Sequence, residues 1–171
     1  MKPLTPDQAY ARLARLCSRT EYAPAQCLAK MQAWGVAAQQ AREVVQRLVD
    51  ERFVDEERFA RAFTNDSVRF SHHGRIKIAY GLRQKGVSAE VIAEAIAQID
   101  EDEYARVLES LLEARARTLN AASRADAMSK LLRYAAQRGF EQSLVYPVAQ
   151  RLAAKWNDTS CDDEYLSLIH I

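Results

Sequence analysis

A glycine followed by an apolar residue occurs three times in this 171-residue chain, each time after a stretch with helical apolar spacing. These glycines are Gly35, Gly86 and Gly139, and they lie 51 and 53 residues apart. A glycine here adopts the left-handed conformation that ends a helix without a Cβ clash. Matching apolar residues precede each glycine by four and by eight positions and follow it by thirteen. They are Met31, Leu82 and Ala135, then Cys27, Ile78 and Leu131, then Leu48, Ile99 and Leu152. The spacing predicts a helix–glycine–helix unit that occurs three times.

Each unit follows another amphipathic stretch, so the pattern predicts three helices in every repeat. Leu13 and Cys17 lie on the leading helix of the first repeat, and Tyr104 and Leu108 on that of the third. A three-helix unit has a small core, and tandem units gain stability by burying surface against their neighbours. We therefore expect an all-α protein whose three tandem three-helix modules form an elongated, curved array. The expected modules are 1–53, 54–100 and 101–157, and a tail follows at 158–171.

The central module has clear helix boundaries. Asp55 and Ser88 are suited to cap the beginnings of two helices, because their side-chain oxygens accept from the free N–H groups of the first turn. Gly74 restarts the chain before the middle helix, which Gly86 ends. Aromatic residues at helical spacing usually face a core. We therefore expect core or inter-module contacts for Trp34, Phe59, Phe63 and Tyr80.

The formal net charge of +1 conceals a strong segregation of charge along the chain. Residues 67–88 carry five basic and no acidic side chains, and residues 114–139 carry six basic and one acidic. Between them, residues 89–113 carry eight acidic side chains and one basic. The basic blocks predict a docking surface for an anionic partner. A solvated helix face that happens to be basic is the alternative, and the sequence leaves it open.

No pattern of catalytic or metal-binding residues stands out, so we expect a protein that is not an enzyme and uses no cofactor. The acidic clusters at 55–57 and 100–103 lie where helices begin, where the helix dipole favours carboxylates. Cys17, Cys27 and Cys161 include no CxxC pair, and the first two lie among apolar positions. We expect these two to be buried free thiols and expect no bound metal.

The ends of the chain give expectations about location. The sequence contains no apolar run long enough to cross a bilayer and begins without a secretory signal, so we expect a cytoplasmic protein with no membrane partner. Nothing in the sequence requires a dimer, and we expect a monomer. Residues 166–171, LSLIHI, match the translation of a sequencing-library adapter, and we interpret them as an adapter-derived artefact.

Several motifs of the central module occur in a familiar order. They are VDEERFARAF at 54–63, GRIKI at 74–78 and LRQKGV at 82–87, with LCSRTEY at 16–22 and LRYAAQRGF at 132–140 on either side. Together they resemble the RecX family of bacterial regulatory proteins over residues 8–155. At 71–73 this chain has Ser-His-His, where family members often carry further basic residues.

The resemblance implies helix-turn-helix-like modules and a regulatory function in DNA repair and recombination. RecX proteins bind RecA along the groove of its filament on single-stranded DNA and usually restrain its ATPase and strand-exchange activities. We therefore expect a modulator, most often an inhibitor, of RecA. The candidate contacts to RecA or DNA are the basic residues of the second and third modules. They are Arg69, His72, Arg75, Lys77, Arg83, Lys85, Arg115, Arg117, Lys130, Arg133 and Arg138.

Two other functions remain open on the sequence. Three-helix units can place a helix in the major groove, so a stand-alone DNA-binding regulator is the first alternative. A helical scaffold whose acidic block at 89–113 binds a basic protein is the second.

Overall fold

The computed structural model describes residues 1–156, and this part of the chain is helical without a β-strand. The predicted all-α class is confirmed. The predicted tail, Cys161 and the adapter-like hexapeptide lie outside the described residues. The helices are α1 (Pro6–Cys17), α2 (Pro24–Ala33), α3 (Ala38–Asp50), α4 (Glu56–Arg69), α5 (Arg75–Gln84), α6 (Ala89–Ala97), α7 (Glu101–Thr118), α8 (Arg124–Gln137) and α9 (Gln142–Ala153).

The three glycines end α2, α5 and α8 as the sequence predicts. Their φ angles are +81° at Gly35, +78° at Gly86 and +88° at Gly139. In each turn, the N–H of the residue after the glycine donates to the carbonyl five residues earlier, the hydrogen bond expected of such a helix end. The bonds join Val36 to Met31 (3.0 Å), Val87 to Leu82 (3.1 Å) and Phe140 to Ala135 (3.1 Å).

The residues that match between repeats are all buried, with at most 9% of their surface exposed. Asp55 and Asp100 accept from the third N–H of α4 and α7 at 2.9 Å and 2.8 Å, and Ser88 caps α6. The acidic clusters therefore lie in the first turns of two helices, where the helix dipole stabilises them.

The chain divides into two compact units, and the predicted boundaries of three modules stay a prediction. The first unit comprises Met1–Ser71 and Lys77–Ile99. Its first three helices enclose a core that includes Leu13, Met31 and Leu48. Glu21 and Arg58 join the loop before α2 to α4 through an ion pair of 2.6 Å.

The second unit comprises His72–Ile76 and, of the described chain, the residues from Asp100 to Trp156. At its centre lie Tyr104 and Phe140, each 1% exposed, with ring centroids 5.2 Å apart. Helices α7, α8 and α9 pack around them.

The expectation that Tyr80 belongs to a core or inter-module contact is wrong. Tyr80 is 57% exposed, whereas Ile78 and Leu82 on the same helix are buried. A helix turns about 100° per residue, so Tyr80 lies far around α5 from the stripe that Ile78 and Leu82 share. Phe59 is buried, and Phe63 is half-buried and stacks on it at 6.0 Å.

Candidate binding surfaces

Helix α5 has one buried side and one exposed side. Ile78 and Leu82 face the core, and the exposed residues occupy the opposite arc of the helix. We call this arc the α5 face; it consists of Ile76, Lys77, Tyr80, Arg83 and Gln84. The α5 face combines two cations, Lys77 and Arg83, with two apolar side chains, Ile76 and Tyr80. Each of these two apolar side chains is more than half exposed.

The charges of the α5 face are available to a partner to different degrees. Arg83 forms no ion pair within residues 1–156, whereas Lys77 has an interaction within the chain. Lys85 lies just beyond the helix, half-buried, with Nζ 5.9 Å from the centre of the Phe63 ring. Arg69 is exposed at the end of α4 and also interacts within the chain.

Arg75 lies at the centre of an internal network of the second unit, unlike the cations of the α5 face. Its side chain is 18% exposed and its guanidinium lies 4.0 Å from the centre of the Tyr104 ring. One terminal nitrogen lies 2.5 Å from a Glu101 oxygen and the other 3.5 Å from a Glu141 oxygen. The network satisfies the charge of Arg75 internally and does not favour its predicted role as a contact to RecA or DNA.

The Tyr104 hydroxyl completes this network. It accepts from the backbone N–H of Arg75 at 3.0 Å and donates to Glu141 at 2.9 Å. Burial is the main cause that raises the pKa of Tyr104 above its usual value. Burial would lower the pKa of Arg75, but the hydrogen bond to Glu101 and the charge of Glu141 outweigh it and raise that pKa.

His72 is exposed in the turn between α4 and α5, with a φ of +53°. It lines an open groove of about 510 Å³ in the second unit. The other lining residues are Glu103, Arg106, Val107, Ser110, Leu111 and Ala114. The groove is largely apolar along α7 and carries charges of both signs, so it does not select for an anion.

A second basic cluster surrounds Tyr134 on α8. The guanidinium carbons of Arg115 and Arg138 lie 5.2 Å and 5.5 Å from the centre of its ring. Arg138 also donates to the Tyr134 hydroxyl at 3.4 Å. The ring therefore holds two arginines from α7 and the end of α8 close together, an arrangement that sequence spacing alone does not reveal.

The remaining basic residues of the third predicted module differ in their surroundings. Lys130 pairs with Asp126 at 3.0 Å and donates to the carbonyl of Asn120 at 2.7 Å. Arg117 and Arg133 are exposed and form no ion pair within the described part of the chain. The structure thus separates exposed cations from cations that are already neutralised, a distinction that the sequence does not make.

Two further observations concern the chemistry that the described residues offer. No group of three or more His, Cys, Asp or Glu side chains between residues 1 and 156 is arranged to hold a metal ion. None of the helices in this part of the chain has both the length and the hydrophobicity that a membrane span requires.

Comparison with known proteins shows that the chain is similar to members of one family. The family model described as "RecX, second three-helix domain" matches residues 55–96, which include α4, α5 and most of α6. The Regulatory protein RecX of Mycobacterium sp. (strain KMS) is 28% identical over 151 residues, which are 86% of this chain and 82% of that protein. The Regulatory protein RecX of Lactobacillus johnsonii is 24% identical over 118 residues, or 69% of this chain.

The relatives differ in length. The match spans only 44% of the Lactobacillus johnsonii protein and 46% of the RecX of Oceanobacillus iheyensis, so this chain corresponds to less than half of those relatives.

Solved structures of RecX proteins share the fold. The crystal structure of RecX from Lactobacillus salivarius superposes with a TM-score of 0.76 at 15% identity, over 87% of this chain and 97% of that one. A second structure, titled regulatory protein RecX, gives a TM-score of 0.76 at 20% identity, over 85% of this chain and 71% of that one. The resemblance to the RecX family that the sequence motifs predict is therefore confirmed.

Proposed function

We propose that this protein binds the RecA filament on single-stranded DNA and inhibits the ATPase and recombinase activities of RecA. The α5 face is the observation that carries the proposal. Lys77 and Arg83 supply positive charge to a long polyanionic partner, and Tyr80 supplies exposed aromatic surface between them. Electrostatic attraction speeds the encounter with such a partner, and aromatic side chains are enriched where protein interfaces bind most strongly.

The basic residues of α7 and α8 supply a second set of contacts. Arg117 and Arg133 are exposed, and the Tyr134 ring holds Arg115 and Arg138 together. Two weak contact sets on one chain bind a repetitive filament more tightly than either does alone, because the second contact forms within the complex. Inhibition follows when these contacts favour one conformational state of the filament over the others.

The proposed activity is binding without chemistry. It requires no cofactor and no catalytic residue, in accord with the α5 face being an open surface rather than an enclosed site. Arg75 and Lys130 are excluded from the main contact set, because carboxylates of the same chain already neutralise them.

The test is the charge reversal Lys77→Glu with Arg83→Glu, followed by RecA ATPase and strand-exchange assays. We expect inhibition to weaken at least tenfold, because two attractive charges become repulsive. The matched control reverses Arg15 and Arg42, which are exposed on α1 and α3, and changes the net charge equally. Thermal unfolding confirms that both variants fold. Undiminished inhibition by the folded α5 variant contradicts the proposal.

DNA binding in the absence of RecA distinguishes the proposed function from the main alternative, a stand-alone DNA-binding regulator. Labelled single-stranded and duplex DNA are titrated with the protein in the presence and absence of RecA. Binding through phosphates weakens steeply with salt and ignores base sequence. Sequence-preferring binding to duplex DNA without RecA identifies the protein as a stand-alone DNA-binding regulator instead.

A further inference from the structure

The first two repeats each join their first helix to their glycine turn through one cation that lies against an aromatic ring. The Arg12 guanidinium carbon lies 4.5 Å from the centre of the Trp34 ring, and the Lys85 Nζ lies 5.9 Å from that of Phe63. Trp34 and Lys85 directly precede their glycines. Arg12 and Phe63 are 51 residues apart, which is also the spacing of these two glycines. One cation therefore suffices to link helix and turn.

The third repeat holds two cations at the equivalent place. Arg115 follows Phe63 by 52 residues and lies on α7, and Arg138 directly precedes Gly139. Both guanidiniums lie against the ring of Tyr134, at 5.2 Å and 5.5 Å from its centre. Two like charges held close together repel each other, so this convergence is unfavourable for the chain alone. The second cation exceeds what the link between helix and turn requires in the other repeats.

We call Arg115, Tyr134 and Arg138 the Tyr134 cluster. Arg115 is exposed and forms no ion pair within residues 1–156. Arg138 is half-buried, donates to the Tyr134 hydroxyl at 3.4 Å and has a further interaction within the chain. A ring attracts a guanidinium through its π-electrons and does not occupy the N–H donors as a carboxylate does. The ring therefore positions Arg115 while its donors stay available to a ligand.

The surroundings of the Tyr134 cluster are strongly positive. Arg117 and Arg133 are exposed and form no ion pair within the described part of the chain. The one acidic residue of the block 114–139 is Asp126, which pairs with Lys130 at 3.0 Å. Asp126 also accepts from the backbone N–H of Ala122 at 3.0 Å. The carboxylate of this block is thus already engaged, and the positive charge favours an anion from outside the chain.

The Tyr134 cluster differs from the α5 face in the partner that it suits. The α5 face exposes Ile76 and Tyr80 beside its cations, whereas no large apolar side chain of α7 or α8 is exposed. Interfaces with nucleic acid are more polar and more positively charged than interfaces between proteins. The planar fork of a guanidinium also matches the oxygens of a phosphate group. The α5 face therefore suits a protein, and the Tyr134 cluster suits a phosphodiester backbone.

We propose that the Tyr134 cluster binds the phosphodiester backbone of single-stranded DNA, while the α5 face binds RecA. This division rests on the proposed function, although the DNA contact itself does not require RecA. Arg115 and Arg138 donate to phosphate oxygens, and the exposed Arg117 and Arg133 add long-range attraction. A flexible single strand can turn its phosphates toward both arginines of the cluster, whereas a duplex holds its phosphates at a fixed spacing.

The double variant Arg115→Gln/Arg138→Gln tests the DNA contact. Fluorescence anisotropy follows the binding of a labelled oligothymidylate to the full chain, without RecA, over a series of salt concentrations. At low salt the variant should bind at least roughly tenfold more weakly, and the slope of log K against log salt should become shallower by about 1.4, because two phosphate contacts are lost. The matched control Arg15→Gln/Arg42→Gln removes the same charge from exposed positions of α1 and α3 and should bind normally.

Three results of this titration overturn the proposal. They are undiminished binding by the folded Arg115→Gln/Arg138→Gln variant, no binding by the unmodified chain, and tighter binding of a duplex of the same length. Thermal unfolding establishes that each variant is folded.

A pair of substitutions at Tyr134 tests whether the ring positions the arginines. Tyr134→Leu keeps both cations and removes the ring, so binding to the oligothymidylate should weaken severalfold. Tyr134→Phe keeps the ring and should bind like the unmodified chain. Equal binding by the two variants contradicts the role of the ring, because net charge is the same in both.

Capture of RecA without DNA separates this proposal from the proposed function. The variant Arg115→Gln/Arg138→Gln should still capture RecA, and Lys77→Glu/Arg83→Glu should still bind the oligothymidylate. Loss of RecA capture by the first variant, with DNA binding intact, would assign the Tyr134 cluster to an acidic surface of RecA and overturn the proposal. Undiminished RecA inhibition by the second variant would instead contradict the proposed function, and the oligothymidylate titration would still decide the role of the cluster.

Discussion

Replacing Arg75 by methionine should destabilise the protein, whereas the same replacement of Arg83 should not. Both arginines belong to α5 and to the same basic block, so the sequence treats them alike. The Arg75 side chain is 18% exposed, and its guanidinium lies over the Tyr104 ring and contacts Glu101 and Glu141. Methionine keeps much of the aliphatic stem and removes the charge, so the difference reports the charged contacts.

The expected loss of stability in Arg75→Met follows from how exposed each partner of Arg75 is. Glu101 is 78% exposed, so its ion pair with Arg75 contributes roughly 0.5 kcal/mol. The cation over the buried Tyr104 ring contributes about 1 kcal/mol. Glu141 is 28% exposed, and its separation of 3.5 Å from Arg75 is worth on the order of 0.5 kcal/mol. Arg75→Met should therefore lower the free energy of unfolding by about 2 kcal/mol, which is a fall in Tm of roughly 4–8 °C.

Urea unfolding and thermal unfolding measure both variants. Arg83→Met should stay within about 0.5 kcal/mol of the unmodified chain, because Arg83 is exposed and forms no ion pair within residues 1–156, and such positions have little effect on stability. In the RecA assays the order should reverse, with Arg83→Met weaker in inhibition and folded Arg75→Met nearly unchanged. Equal stability of the two variants would show that the Arg75 network contributes nothing, and the separation of structural from surface cations would be wrong.

Three other sets of substitutions test the interior of the protein. Thr64→Val should raise the free energy of unfolding by about 1 kcal/mol, measured by urea unfolding, because the buried Thr64 hydroxyl has no hydrogen-bond partner in the described chain. Thr64→Ser keeps the hydroxyl and should lower the free energy of unfolding. Gly86→Ala should cost about 2 kcal/mol through its φ of +78° and the overlap with Ala25, and adding Ala25→Gly should restore only the part due to overlap. Burial, and then the charge of Cys17, raises the pKa of Cys27 from about 9 to about 12. The stability contributed by the protonated thiol is complete below pH 9 and is lost as pH rises toward 12, so the stability lead of the unmodified chain over Cys27→Ala should shrink over that range. Equal stability of Thr64→Val and Thr64→Ser, full recovery in the Gly86 double variant, or a constant lead at Cys27 would each contradict the corresponding assignment.

The sequence predicts those features of the fold that depend on neighbouring residues. The glycine turns follow from the left-handed conformation that glycine adopts at low cost, and the caps at Asp55 and Ser88 follow from side chains that reach the first turn. The buried positions follow from the 3.6-residue period of the helix. The same period, applied strictly, also places Tyr80 away from Ile78 and Leu82; its aromatic character alone gave the wrong expectation.

Only the tertiary structure decides which basic residues remain available to a partner. Arg75 is 66 residues from Glu141 in the sequence, and no local pattern indicates that folding brings them to 3.5 Å. Arg83, on the same helix, is exposed and forms no ion pair within residues 1–156. Local sequence fixes backbone conformation because torsion angles and capping bonds act over a few residues. Charge availability depends on distant groups that meet only when the chain has folded.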